Sequence, residues 1–132
     1  MSLRVVRLGT PRHPDEGLRI GTVRRPPRGV PKAQFAARDF YDVWLPNLSP
    51  SAELVKLALD AAAHDDEREW KTFVARFRKE MQAPEASHLL DLLAALSHRT
   101  SLSIGCYCED ESRCHRSVLR SLLHERAAAI TE

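Results

Sequence analysis

Apolar residues recur with two different periods along this chain, and the changeovers between them mark out its elements. Period two comes first. Residues 3–8 (LRVVRL) form a short β-branched run closed by Gly9, Thr10 and Pro11. Residues 18–23 (LRIGTV) alternate Leu18, Ile20 and Thr22 with Arg19 and Gly21, which predicts a second strand. Residues 24–32 hold prolines at 26, 27 and 31 and four positive charges, so they read as a basic loop. Within residues 35–44, Phe40, Tyr41, Val43 and Trp44 predict a third strand around DFYDVWL.

The period then lengthens to that of a helix. Pro46, Asn47 and Ser49-Pro50 supply turn chemistry, Ser49 or Ser51 can cap, and 52–63 is the first helix, with Glu53 in its first turn. Trp70, Phe73, Val74, Phe77 and Met81 recur every three or four residues and predict a second helix over 67–81 with an aromatic stripe. That stripe reads as core rather than as a base-stacking platform. After Pro84, Leu89, Leu90, Leu92, Leu93 and Leu96 make a third helix ending near His98. Period two returns at Leu102, Ile104, Cys106 and Cys108. A polar run, Glu109 to Ser112, breaks it, with Ser112 or Asp110 able to cap a closing helix. Val118, Leu119, Leu122 and Leu123 give that helix its amphipathic stripe. The expectation is an α/β fold: one compact domain over residues 1–132, a small mainly parallel or mixed sheet packed with helices, and a closing strand-loop-helix crossover.

Composition narrows this picture. With 132 residues and 43% hydrophobic content the chain suits one domain with a real core. A net charge of +2 and a pI near 8.6 fall short of what an obligate nucleic-acid binder carries. No N-terminal apolar segment of signal type and no apolar run of bilayer length is present, so the expectation is a cytoplasmic protein with no membrane partner. Three cysteines close together argue for reduced thiols or a metal rather than a disulfide framework.

The chemistry concentrates between strand and helix in the closing unit. His115 precedes Val118 and Leu119 by three and four residues, which puts it at the top of the buried stripe, pointing at the sheet. Arg116 is turned about a third of the way round, toward solvent or a ligand. Cys114 falls in the first helical turn, where free amides and the macrodipole favour an anion or a thiolate. The leading expectation is a small anionic ligand, phosphorylated and nucleotide-like, with no cofactor. Arg116, Arg24, Arg28 and Ser112 would bind it, helped by Arg25, and His115 and Cys114 would do any catalysis. A thiol-redox alternative makes Cys114 the nucleophile, activated by Arg113 and Arg116, with Cys108 resolving; a bond between Cys106 and Cys108 would be strained. A zinc alternative uses Cys106, Cys108, Cys114 and His115, although adjacent residues 114 and 115 diverge on a helix; against it stands Cys106 as a small core residue. A nucleic-acid module would draw on Arg4, Arg7, Arg19, Arg24, Arg25 and Arg28. His13, His64, His88, His98 and His124 have no partner spacing and read as surface residues.

Several of these segments together resemble a known family. Residues 24–29 are similar to the arginine-proline-arginine-glycine loop of the YeaO-like proteins, an uncharacterised bacterial family of domains of unknown function. Tyr41-Asp42, the segment Ser49-Pro50-Ser51-Ala52-Glu53-Leu54, and Trp70, Phe73, Phe77 and Glu80 at their spacing are similar too. So is the Cys-x-Cys…Cys-His-Arg pattern of Cys106, Cys108, Cys114, His115 and Arg116, seen in the wider family. The resemblance covers nearly the whole chain and implies a compact α/β fold, with no established activity attached. Where that family's loop often carries Asp and Trp, this chain has Val23 and Pro26, which points away from catalysis by the loop itself.

Overall fold

A computed structural model describes residues 1–131. Strands β1 (Leu3–Arg7), β2 (Leu18–Gly21), β3 (Val43–Trp44) and β4 (Leu102–Cys106) join in one sheet of order β1-β4-β2-β3. Every pairing is parallel. Helices α1 (Ala52–His64), α2 (Glu67–Glu80) and α3 (Pro84–Leu96) form the crossover from β3 to β4, and α4 (His115–Glu125) comes after β4. The last strand therefore lies at the centre of the sheet, between β1 and β2. Its burial matches that position, since all five of its residues are buried.

Alternation gives the sheet two unlike faces. Leu3, Ile20, Leu102 and Ile104 join the main core with Leu54, Phe73, Phe77, Leu90, Leu119 and Leu123 from the helices. Trp70, Phe73 and Phe77 stack along α2 at centroid spacings of 5.0 and 5.7 Å, as their period requires. On the other face Arg19 pairs in register with Ser103, and Gly21 with Gly105. A Cβ on Gly21 would stand 2.4 Å from Cδ2 of Tyr41, so the absent side chain is what lets that ring lie on the sheet.

The third strand departs most from expectation. Only Val43–Trp44 pairs with β2, and residues 35–42 are turns and bends outside any strand. Asp39 takes φ 62°, and its carbonyl accepts hydrogen bonds from the Gly9 amide and from Arg19. Phe35, Phe40 and Tyr41 join a small cluster with Leu8, Val23, Cys106, Cys114 and Tyr107. Their bulk is satisfied by packing on the sheet, which frees the backbone from the ladder. β2 ends at Gly21 and β4 at Cys106, two residues sooner in each case than the alternation suggests. α3 begins at Pro84, a proline at the first helical position, rather than at the leucine run. Among the described residues no helix is long and apolar enough to cross a membrane.

Candidate functional site

The carboxyl edge of a parallel sheet collects backbone turns and helix N-termini, and β4 delivers the cysteine segment there. Asp110 accepts from the Ser112 amide at 3.0 Å and nucleates a 3-10 turn, Glu111–Arg113. Cys114 caps α4 with extended backbone angles, φ −126° and ψ 151°. Being outside the helix, it does not diverge from His115 as two helical neighbours would. Its Sγ lies 2.6 Å from Cys106 Sγ and 3.7 Å from His115 Nδ1. Both cysteines are buried.

His115 points at the sheet, as its place on the stripe requires. Its Nε2 lies 2.6 Å from the Thr22 carbonyl oxygen. A carbonyl only accepts, so Nε2 carries the proton and Nδ1 keeps a lone pair facing Cys114. Phe77 packs edge-on against the imidazole at 5.7 Å. Burial pulls the His115 pKa down to about 4, against the upward pull of the Thr22 bond. At neutral pH the ring is uncharged.

The three thiols are unlike one another. Cys108 lies beyond the strand end, exposed, with its amide donating to Cys106 Sγ at 3.4 Å. The neighbouring Cys106 and Cys114 thiols hold the Cys108 thiol far below the usual cysteine range, with the Arg116 charge adding to the effect. Cys106 is driven strongly the other way, by its bonds to Cys108 and Cys114 and then by burial. At Cys114 the bond from Cys106 acts downward, but the bond to Cys108 and burial outweigh it and push the thiol up to about 11. Sequence alone activates Cys114 through its helix end, whereas burial and the Cys108 thiol push Cys114 up and Cys108 is the one held low. Sulfur-to-sulfur hydrogen bonding across a loop leaves no trace in residue spacing.

Arg116 also differs from expectation. It is 3% exposed, and its Nη2 donates to the Cys108 carbonyl at 2.6 Å. Rather than facing solvent or a ligand, it ties the cysteine loop to α4, and its Nε is buried without a partner. Ser112 is engaged with the Asp110 carboxylate at 2.7 Å. Arg24 donates from Nε to the Pro50 carbonyl at 2.7 Å, and Arg28 is exposed on the 24–32 loop.

Beside the cysteines opens a cavity of about 660 Å³. Cys106, Cys108, Cys114 and His115 form one wall, and Val55, Ala58, Leu59 and Ala62 of α1 with Phe73 form the other. Arg24, Arg25, Lys56 and Arg113 stand around it, with Glu109 and Asp110 as the acidic counterparts. Arg113 is paired with Glu67 and lies over the Trp70 ring at 5.7 Å. Among the described residues, neither the Arg25 nor the Lys56 side chain has a hydrogen-bond or ion-pair partner. Of the residues expected to bind a ligand, Arg24 and its helper Arg25 reach this cavity, together with the two expected catalytic residues; Arg116, Arg28 and Ser112 are not among its lining residues.

The nucleic-acid set is divided by burial. Arg19 is fully buried, with Nε 2.6 Å from Glu16 Oε2 and Nη2 2.8 Å from Oε1, so it is committed inside the fold. Arg7 lies on the exposed edge and donates to the Tyr107 carbonyl. Tyr41, with its hydroxyl buried and unpartnered, and Tyr107, whose hydroxyl donates to the Arg25 carbonyl at 2.9 Å, flank the cysteines without any signal in the sequence pattern. Their contacts run through the 24–42 loops, which periodicity does not address.

A family model described as the active DUF488-N3 subclade matches residues 3–127. No curated protein and no solved structure matches the chain.

Proposed function

The chain belongs to the DUF488-N3a family, and from that premise we propose that the cavity at the carboxyl edge of β4 binds a small ligand with a phosphoryl group and an apolar body. YeaO-like proteins are themselves DUF488 members, so the resemblance and the family agree. The family's description calls the subclade active and names no reaction.

One observation carries the reading. The exposed Arg25 and Lys56 cations stand unpaired beside a pocket whose other lining residues include the apolar Val55, Ala58 and Phe73. Pockets of this size take most of a small molecule, with apolar walls holding its body and a few charges fixing its orientation. A guanidinium suits a phosphate because its fork of donors matches two oxygens, and an ammonium adds a point charge. The cysteines and His115 then meet the body of the ligand from the sheet side.

The test is thermal unfolding of the reduced protein with inorganic phosphate, pyrophosphate and a panel of nucleoside monophosphates. A ligand at a hundred times its Kd stabilises by about 2.7 kcal/mol. The expected result is a saturating rise in melting temperature with at least one of these probes. Arg25→Ala combined with Lys56→Ala should remove the rise without changing the melting temperature of the free protein, because both side chains are exposed and unpaired. No rise with any probe, or an equal rise in the double variant, rejects the reading.

A further inference from the structure

We infer that Cys106, Cys114 and His115 form a binding site for a zinc ion on the wall of the cavity, with its fourth coordination position open to the ligand. The link to a ligand rests on the reading above; the metal site itself does not.

Three donor atoms, the two sulfurs and a ring nitrogen of His115, lie within 4.8 Å of one another. Zinc holds thiolate sulfur at about 2.3 Å and imidazole nitrogen at about 2.0–2.1 Å, so a tetrahedron sets sulfur and nitrogen about 3.5 Å apart. The Cys114 Sγ to His115 Nδ1 distance is 3.7 Å. The same tetrahedron sets two sulfurs about 3.8 Å apart, whereas Cys106 and Cys114 stand at 2.6 Å. Loading therefore requires the sulfurs to part by about 1 Å. Cys114 is the cap residue of α4, its amide donating to the Glu111 carbonyl and its carbonyl accepting from the Ser117 amide, each at 3.0 Å, so the backbone is held and the sulfurs part by rotation of the Cys114 side chain.

The surroundings of the donors point the same way. A metal-binding imidazole typically donates its other ring N–H to a backbone carbonyl, which fixes the tautomer and aims the lone pair at the metal. His115 does this, with Nε2 on the Thr22 carbonyl at 2.6 Å. The Cys108 amide donates to Cys106 Sγ at 3.4 Å, as amides do toward metal-bound thiolates. Arg116, buried, with its Nε unpartnered and its Nη2 on the Cys108 carbonyl, is a cation held next to the cluster. Thiolates at Cys106 and Cys114, as a bound metal requires, would lie beside this buried guanidinium and balance its charge. Two cysteines and one histidine are also the ligand set of a catalytic zinc site, in which the fourth position takes water or substrate. Cys108, exposed on the same wall, stays free in this assignment.

The test is titration of the reduced, chelator-stripped protein with Co(II) under anaerobic conditions, followed by displacement with Zn(II). One equivalent of cobalt is expected, giving thiolate-to-metal charge transfer and tetrahedral d–d bands that zinc abolishes. Cys106→Ser, Cys114→Ser and His115→Ala should each weaken binding by more than about 100-fold, beyond the loss typical of residues that only hydrogen-bond to a ligand. Cys108→Ser should keep the full equivalent. If a serine variant fails to fold, X-ray absorption of the wild-type zinc protein decides, with two sulfurs and nitrogen or oxygen expected around the metal. Absence of stoichiometric metal, a shell of three or more sulfurs, a Cys106–Cys114 disulfide that persists in reductant, or loss of metal in Cys108→Ser overturns the assignment. The stripped protein is also melted with the phosphate probes: a retained thermal shift with no metal bound removes the zinc site alone, and metal binding with no shift removes the ligand reading alone.

Discussion

Glu16→Gln tests how strongly the fold depends on its one fully buried ion pair among the described residues. The Glu16 carboxylate accepts from Arg19 Nε at 2.6 Å, Arg19 Nη2 at 2.8 Å and Ser103 Oγ at 2.8 Å. A glutamine keeps one oxygen but turns an amide nitrogen toward one of these donors, and it removes the counter-charge of a fully buried guanidinium. Breaking a buried pair from one side typically costs about 3–5 kcal/mol. Arg19 retains the Thr10 and Asp39 carbonyls at 2.9 and 2.7 Å, which places the expected loss near the lower figure, about 3 kcal/mol. For a chain of this length that is a fall in melting temperature of roughly 10 °C.

The pH dependence sharpens the test. Burial acts to raise the Glu16 pKa, but the bonds from Arg19 and Ser103 and the Arg19 charge outweigh it and hold the carboxyl below its usual value. A depressed carboxylate contributes stability that is fully present above its unfolded pKa, near 4.3, and is lost as pH falls through the lower folded value. Urea unfolding of wild type and variant at pH 7 and pH 3 measures both effects. The gap should be about 3 kcal/mol at pH 7 and should shrink at pH 3, below the unfolded pKa, where the unfolded wild-type chain binds a proton at Glu16 and glutamine has none to bind. A gap below about 1 kcal/mol at pH 7, or one of equal size at both pH values, refutes the reasoning.

Two more outcomes are expected at the sheet edge. In the metal-free reduced protein, iodoacetamide should modify Cys108 rapidly and Cys106 and Cys114 only on unfolding, because Cys108 alone is exposed and its thiol is held low by the neighbouring thiols and Arg116; peptide mapping that finds Cys106 or Cys114 labelled first contradicts this. Gly21→Ala places a methyl 2.4 Å from the buried Tyr41 ring and should lower stability by about 1–3 kcal/mol in urea unfolding, whereas an unchanged midpoint means that Tyr41 does not rest on the sheet.

The helices and the central strand are legible in the sequence because their information is local. The Trp70, Phe73 and Phe77 stripe, and the run Leu102, Ile104, Cys106, carry the period of the element that buries them. The third strand escapes such reading because Phe40 and Tyr41 favour strands, yet their destination is set by Gly21, on another element. At the site, sequence brings forward His115 and the cysteines, and the cavity contains them. It does not reveal that Cys114 is a cap residue with extended backbone, and that one ψ angle converts two diverging neighbours into a converging pair. Arg116 is misplaced by sequence for a related reason: helical phase says where a side chain leaves the axis, not whether a loop folds over it, and the Cys108 carbonyl does. The far wall is illegible because Val55 and Leu59 look like ordinary members of an amphipathic helix until the cysteine loop is set opposite them.

The most direct measurement is a map of backbone amide shifts in the ¹⁵N-labelled reduced protein during titration with inorganic phosphate and then a nucleoside monophosphate. A ligand held between α1 and the cysteine loop should move the amides of Arg24, Arg25, Lys56 and residues 107–110 along saturating curves. Shifts confined to the outer face of α2 around Lys71 and Arg76, or no saturable shift at all, would contradict the assignment of the cavity.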